Sequence, residues 1–291
     1  MSRGGSEIEL VLGTAQFQPG YGQGPRSELS EGRGAAALLD AAGDVGVAAL
    51  DTAPAYGDAE AVIGAAEWAL PVHTKIDPKL EPSASLTRSL ERMGRTRVDV
   101  LYVHSSTEVL LKESPVLDAA AALVGERVGK LGVSVYEVEE FRAAVADPRI
   151  TVVQVPLNLF DRRLPQALLD EADLAGTDVY VRSVLLQGVL VADPNSLLGS
   201  TVALRSYVVA FDEKARKIGR SRAELAFGWV RSTPGIKGAV FGADSVGQLN
   251  EIAELFRGPA LDEEVLAELA SLPTPPWELC DPRRWSTGQS R

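Results

Sequence analysis

Short apolar runs rich in Val, Leu and Ile recur along the chain at 9–13, 47–51, 72–75, 98–104, 131–134, 151–155, 178–183 and 239–241. Each is continuous rather than alternating, which is the pattern of a strand buried on both faces of a parallel sheet. Between them the apolar positions take helical spacing, as at 83–93, 116–126, 138–146 and 164–175, several preceded by the helix starters Ser, Pro or Asp. Strand–helix alternation builds parallel βαβ units. Eight such repeats without a break in composition predict an α/β fold of the closed (β/α)8 barrel type, and no GxGxxG fingerprint follows the first strand to argue for an open sheet. The pattern predicts one barrel domain over residues 1–291.

The interval between 183 and 239 exceeds one crossover. It holds a Gly/Pro/Asp/Asn-rich stretch, 188–200, and two helical patterns, 203–218 and 222–231, which predict an inserted loop and an extra helix before strand eight. The last barrel helix is expected at 245–256 and a further helix at 262–270. The tail LPTPPWELCDPRRW carries too many prolines to be helical.

Composition narrows the setting. A length of 291 residues with 45% hydrophobic and 24% charged side chains fits a globular chain with a sizeable core. Lys and Arg total 29 against 40 Asp and Glu, a formal charge of −11 that repels phosphodiester backbones and excludes a nucleic-acid partner. The one cysteine, Cys280, allows neither an intramolecular disulfide nor a Cys/His zinc site. No metal is expected. No signal core opens the chain and no window approaches the roughly 18 apolar residues of a membrane span, so a cytoplasmic protein without membrane contact is expected.

Reactive side chains in a β/α barrel gather on the C-terminal rim of the strands. Asp51 closes VAALD, Lys75 closes PVHTK, His104 closes VDVLYVH, and Tyr56 lies in the loop just past Asp51. Together they make a proton donor for carbonyl reduction. A phenol titrating near pH 10 is a weak acid, and a neighbouring ammonium lowers that value. Lys75 supplies the charge, and Asp51 is placed to keep a buried lysine ionised. His104 can hydrogen-bond the carbonyl oxygen and stabilise developing negative charge.

The series DTAPAYG, HTK and LYVH resembles the motif series of the aldo-keto reductases, in the bacterial branch similar to potassium-channel β subunits. The likeness continues in order through LVLGTAQF, GVSVYEVEEF, VQVPLNLFDRR, VRSVLLQGVL and GADSVGQLNEI. It implies that Tyr56 is the general acid/base, supported by Asp51, Lys75 and His104. It also implies a nicotinamide cofactor near Thr14, Ala15 and Asp51, with its carboxamide on Ser134 and Gln154 and its ring on Arg182. That last position is commonly aromatic in relatives, and a planar guanidinium can also stack on a π-face. Ser183, Leu185 and Gly188 match the loop around the pyrophosphate, and Gln248 and Glu251 match adenosine-binding positions. Gly242 and Ala243 precede a helix starting near Ser245, whose free N–H groups suit a phosphate.

Relatives that prefer NADPH often carry Lys or Arg here, whereas this chain has Gly242, Asp244 and Gln248. NADPH is the first choice, because uncharged Ser and Gln serve in some relatives, and NADH is the alternative. Phe17, Tyr21 and Trp277, with Trp285, are candidates for an apolar substrate wall, and Gln16, Asn158 and Gln187 suggest a hydroxylated small-molecule carbonyl. The expected function is NAD(P)H-dependent reduction of an aldehyde or ketone. The alternatives are a cofactor-retaining epimerase or dehydratase, and a redox-sensing regulatory subunit.

Overall fold

Eight parallel strands pair in chain order, each with the next and the last with the first, and close into a barrel. The computed structural model describes residues 8–18, 33–66, 70–104, 106–111 and 113–285. The strands are β1 (Glu9–Gly13), β2 (Ala49–Asp51), β3 (Val72–Lys75), β4 (Val98–Val103), β5 (Val128–Ser134), β6 (Val152–Pro156), β7 (Asp178–Arg182) and β8 (Gly238–Phe241). Around them lie α1 (Arg33–Asp44), α2 (Ala59–Ala65), α3 (Pro82–Met93), α4 (Pro115–Ala121), α5 (Val138–Ala146), α6 (Gln166–Ala175), α7 (Arg205–Ile218), α8 (Arg222–Arg231), α9 (Val246–Arg257) and α10 (Glu263–Ala270).

β5 starts earlier than its apolar run. Val128 pairs with Val98 and Lys130 with Val100, so ladder hydrogen bonds carry a half-exposed, polar stretch into the sheet. Correspondingly α4 stops at Ala121, short of the expected 126, because Gly125 at φ 129 turns the chain and its N–H bonds Val128. The tail is non-helical apart from two short 3-10 turns, Trp277–Cys280 and Pro282–Arg284.

Two tyrosines fill the barrel axis. Tyr102 and Tyr180 pack with Val11, Ala49, Val100 and Val152, and His73 meets both rings edge-on at 6.1 and 5.1 Å. Rings of that size need glycine opposite. A Cβ on Gly132 would lie 2.6 Å from the Tyr102 ring, and one on Gly238 would lie 2.5 Å from Tyr180. Because Tyr102 is wholly buried and has nowhere to swing, Gly132→Ala should destabilise the fold by about 1–3 kcal/mol. A lower urea midpoint with an unchanged slope would register this, and an unchanged midpoint would mean the axis is less tightly filled.

The layer between barrel and helices forms the main apolar core, and a second cluster around Phe160, Leu190, Phe211 and Leu225 seats α7, α8 and the tail. Cys280 lies in that cluster, where burial pushes its thiol up to about 12 and leaves it unreactive. A cavity of about 380 Å³ opens at the strand N-termini, among Glu9, His73, Lys130, Asp178 and Tyr180. Its charges are answered locally, Lys130 by Asp178 at 2.5 Å and Glu9 by Lys237 at 2.7 Å. The strand C-termini face the other way.

Candidate active site

Asp51 and Lys75 are the last residues of adjacent strands, and the register that pairs Asp51 with His73 sets Lys75 just above it. Lys75 Nζ donates to Asp51 Oδ1 at 2.6 Å and to the Thr52 carbonyl at 3.0 Å, with both charged side chains almost fully buried. Asp51 Oδ2 accepts from Gln154 Nε2 at 2.8 Å. The Thr14 N–H and hydroxyl both donate to the Asp51 carbonyl, at 2.9 and 3.1 Å, fixing the strand end from beneath. Tyr56 follows in a turn closed by its N–H on Ala53 O at 3.0 Å, with Gly57 at φ 59 reversing the chain. The Lys75 ammonium lies 5.1 Å from the Tyr56 ring centre. His104, half-buried, comes directly after β4.

These environments sort the protons. Burial alone would strip Lys75, but Asp51 and Tyr56 together outweigh it and hold the ammonium above its ordinary value. Tyr56 is raised, with burial the main cause and Asp51 adding to it, while Lys75 and Arg182 pull the other way. The net depression expected for this phenol is therefore not found, although Lys75 acts on it in the expected direction. His104 falls to about 4, through burial and then the charges of Lys75, Arg182 and Arg283 against Asp51. It is a neutral imidazole over the ordinary pH range, fit to donate a hydrogen bond but not to deliver a proton.

The residues expected at a nicotinamide fall into two groups. Ser134 Oγ is buried and, among the described residues, has no hydrogen-bond partner, which suits a carboxamide. Gln154 has its amide N–H committed to Asp51. Arg182 leaves the end of β7 with its guanidinium 4.1 Å from the Tyr136 ring centre and one N–H on Val135 O at 3.2 Å. Beyond it, Ser183, Leu186, Gln187 and Gly188 all take positive φ, at 60, 50, 52 and 88. Three non-glycine residues in that region within one loop is strained backbone of the kind that marks ligand-holding segments. Leu185 is half-buried within the loop, and its carbonyl accepts from Gly188 N at 2.9 Å.

At the end of the neighbouring strand, β8, Ala243 is buried, and Ser245 caps α9 by accepting from Gln248 N at 3.2 Å. Gln248 returns its Oε1 to the Asp244 N–H at 2.5 Å, and Glu251 is exposed one turn on. Gln16 donates its Nε2 to Asp244 Oδ1 at 2.8 Å, its buried Oε1 has no partner among the described residues, and its amide sits where a Gly242 Cβ would be. A side chain at Gly242 would have to displace the Gln16 amide, where the loops after β1 and β8 meet. Ala15 is buried in the short turn after Thr14.

Of the substrate-wall candidates, Phe17 is buried in the main core, with Tyr56 packed against the same cluster. Tyr21 lies outside the described residues. Trp277 is half-buried and meets Arg163 and Arg284 at 4.4 and 4.6 Å, and Trp285 ties Nε1 to Leu279 O at 2.9 Å. Asn158 accepts from Phe160 and Asp161 in its own loop and donates across to Ser183 O after β7. Two residues that the sequence reading did not assign join the site: Tyr136, two positions past Ser134, and Arg283 of the tail, 3.3 Å from the Tyr136 ring centre and paired with Asp281 at 2.8 Å. Strand-end position signals Tyr136, whereas nothing local signals Arg283.

Among the described residues no helix is long and apolar enough to cross a membrane, and no group of three or more His, Cys, Asp or Glu is placed to hold a metal ion.

A family model described as the aldo/keto reductase family matches residues 9–273. The chain is 25% identical over 254 residues to the aldo-keto reductase YhdN of Bacillus subtilis, covering 75% of this chain and 77% of that protein. It is 24% identical over 211 residues to the L-glyceraldehyde 3-phosphate reductase of Escherichia coli K12, covering 64% and 61% respectively. The solved glycerol dehydrogenase of Gluconobacter oxydans superposes with a TM-score of 0.68 at 22% identity over 90% of both chains, which speaks to the fold.

Proposed function

The chain belongs to the aldo/keto reductase family, and from that premise we propose that it reduces an aldehyde or ketone with hydride from NAD(P)H, Tyr56 giving the proton. The observation that carries this reading is the buried Lys75–Asp51 pair, 2.6 Å apart, beneath Tyr56 and beside a neutral His104. Family members generally use nicotinamide cofactors, NADPH typically, and reduction of an aldehyde is also the activity in the name of the Escherichia coli relative.

The nicotinamide supplies the hydride when bound, and Ser134, whose buried hydroxyl has no partner among the described residues, suits its carboxamide. The chain's own residues do the rest. His104 orients the carbonyl by a hydrogen bond to its oxygen. Tyr56 protonates that oxygen as it gains charge, and the fixed Lys75 ammonium stabilises the phenolate left behind. Asp51 keeps Lys75 ionised. Thr14, Ala15, Ser183, Leu185, Gly188, Gly242, Ala243, Ser245, Gln248 and Glu251 are proposed to line the remainder of the cofactor, and Phe17, Tyr21 and Trp277 the substrate side.

Purified protein incubated with each reduced nucleotide and a panel of aldehydes and ketones tests the reading. One reduced cofactor should be consumed per carbonyl lost. Substrate conversion without net consumption would instead indicate a cofactor-retaining isomerisation or dehydration.

For the nucleotide we propose NADPH first, with NADH the alternative because Asp244 faces the same corner. An added cation should move the balance. Gln248→Arg should shift the ratio of dissociation constants toward NADPH by about tenfold, through one charge-assisted phosphate contact. An unchanged ratio would mean that α9 does not meet the 2′-position.

A further inference from the structure

Arg182, at the end of β7, is a cation with no carboxylate partner among the described residues. Among the described residues its contacts are the Tyr136 ring at 4.1 Å and the Val135 carbonyl at 3.2 Å, neither of which cancels a charge. The neighbouring cations differ in this respect. Lys75 is answered by Asp51 at 2.6 Å, and Arg283 by Asp281 at 2.8 Å. The side chain is also held in place, because ring contact and carbonyl bond together fix the guanidinium plane at the strand end. Its charge reaches both Tyr56 and His104, so it is felt across the mouth of the barrel.

We propose that Arg182 biases this protein toward the reduced form of its nicotinamide cofactor and against the oxidised form. The inference rests on the proposed function and on the seat of the nicotinamide ring at Arg182 that the family resemblance implies. The reduced ring is neutral and the oxidised ring carries a positive charge. A guanidinium against it therefore leaves the first unpenalised and repels the second. An aromatic residue at the same position would act with opposite sign, because its negative π-face attracts a cationic ring. Two unit charges about 4 Å apart in a partly exposed site interact strongly enough to change a binding ratio by about ten- to a hundredfold once screening is allowed for. Tenfold in that ratio corresponds to about 30 mV for a two-electron couple. The bound cofactor is thereby easier to reduce, and in carbonyl reduction the spent cofactor leaves more readily.

Equilibrium dissociation constants for the oxidised and reduced forms of the preferred nucleotide test this without turnover. They are to be measured in the wild type, Arg182→Gln, Arg182→Lys and Arg182→Tyr, with circular dichroism as the check on folding. The wild-type ratio, oxidised over reduced, should exceed that of Arg182→Gln by about tenfold or more. Arg182→Lys should keep it to within about threefold, Arg182→Tyr should lower it furthest, and added salt should shrink the wild-type difference. A ratio unchanged in Arg182→Gln and Arg182→Tyr overturns the proposal while leaving the catalytic reading intact. A wild type that binds neither form overturns the reading on which it rests.

Discussion

Tyr56→Phe should lower kcat for carbonyl reduction by about 10²–10⁴-fold while leaving the dissociation constant of the cofactor within about threefold of wild type. The substitution removes one hydroxyl at the mouth of the barrel and no charge; Lys75 loses the support of Tyr56 but keeps its ion pair with Asp51 at 2.6 Å. The size of the effect turns on whether another group can deliver the proton. His104 is the nearest rival in type, and the structure weighs against it, since its pKa of about 4 leaves it neutral. At pH 7 only about one molecule in a thousand would carry a transferable imidazolium proton. Lys75 is a poor donor for a different reason: giving up its proton would strand Asp51 as a buried, unpaired carboxylate. Single-turnover measurement with saturating reduced cofactor checks the point. Wild-type rates in Tyr56→Phe would assign the acid elsewhere.

The assignment was open to sequence reading because its parts lie at strand ends. Asp51, Lys75 and His104 each terminate or follow an apolar run, and buried parallel strands announce themselves by such runs. The helices were less evenly legible. α1, RGAAALLDAAGD, is made largely of small residues, and α2, AEAVIGA, is only seven residues long, so neither gives a clear apolar stripe. What the sequence conceals is contact between distant loops. Gln16 and Asp244 meet across 228 positions, and Tyr136, Arg182 and Arg283 come together from two strand ends and the tail. No period or motif encodes those meetings; they follow from closure of the barrel and the return of the tail over it. The same limit applies to the Tyr56 proton. Type and spacing revealed that Lys75 lowers its pKa, but burial, the larger influence, belongs to the folded site.

Lys75→Met should act on stability and chemistry at once, and the two effects separate by pH. Removing the ammonium leaves Asp51 buried with Gln154 as its remaining side-chain partner, which should cost about 3–5 kcal/mol of stability, toward the lower end because that 2.8 Å bond survives. The chemical effect follows from the sign of the Lys75 contribution. In the wild type Lys75 pulls the Tyr56 pKa down against burial and Asp51, so its loss lets the already raised value rise further. For alcohol oxidation Tyr56 must accept a proton and is active as phenolate. Its rate therefore climbs with pH toward the Tyr56 pKa, and in the variant that climb moves to more alkaline pH, with the deficit greatest near neutrality. For carbonyl reduction the phenol form is the active one. It persists to higher pH in the variant, but a weaker acid transfers its proton more slowly, so the plateau drops while the alkaline fall in activity moves to higher pH. Profiles of kcat/KM against pH in both directions, taken where hydride transfer limits the rate, distinguish this from a general loss of structure. Unfolding would depress both directions equally at every pH. An unshifted oxidative profile in a variant that still folds and binds cofactor would remove Lys75 from the mechanism, and with it the reason for Asp51 to lie buried beside it.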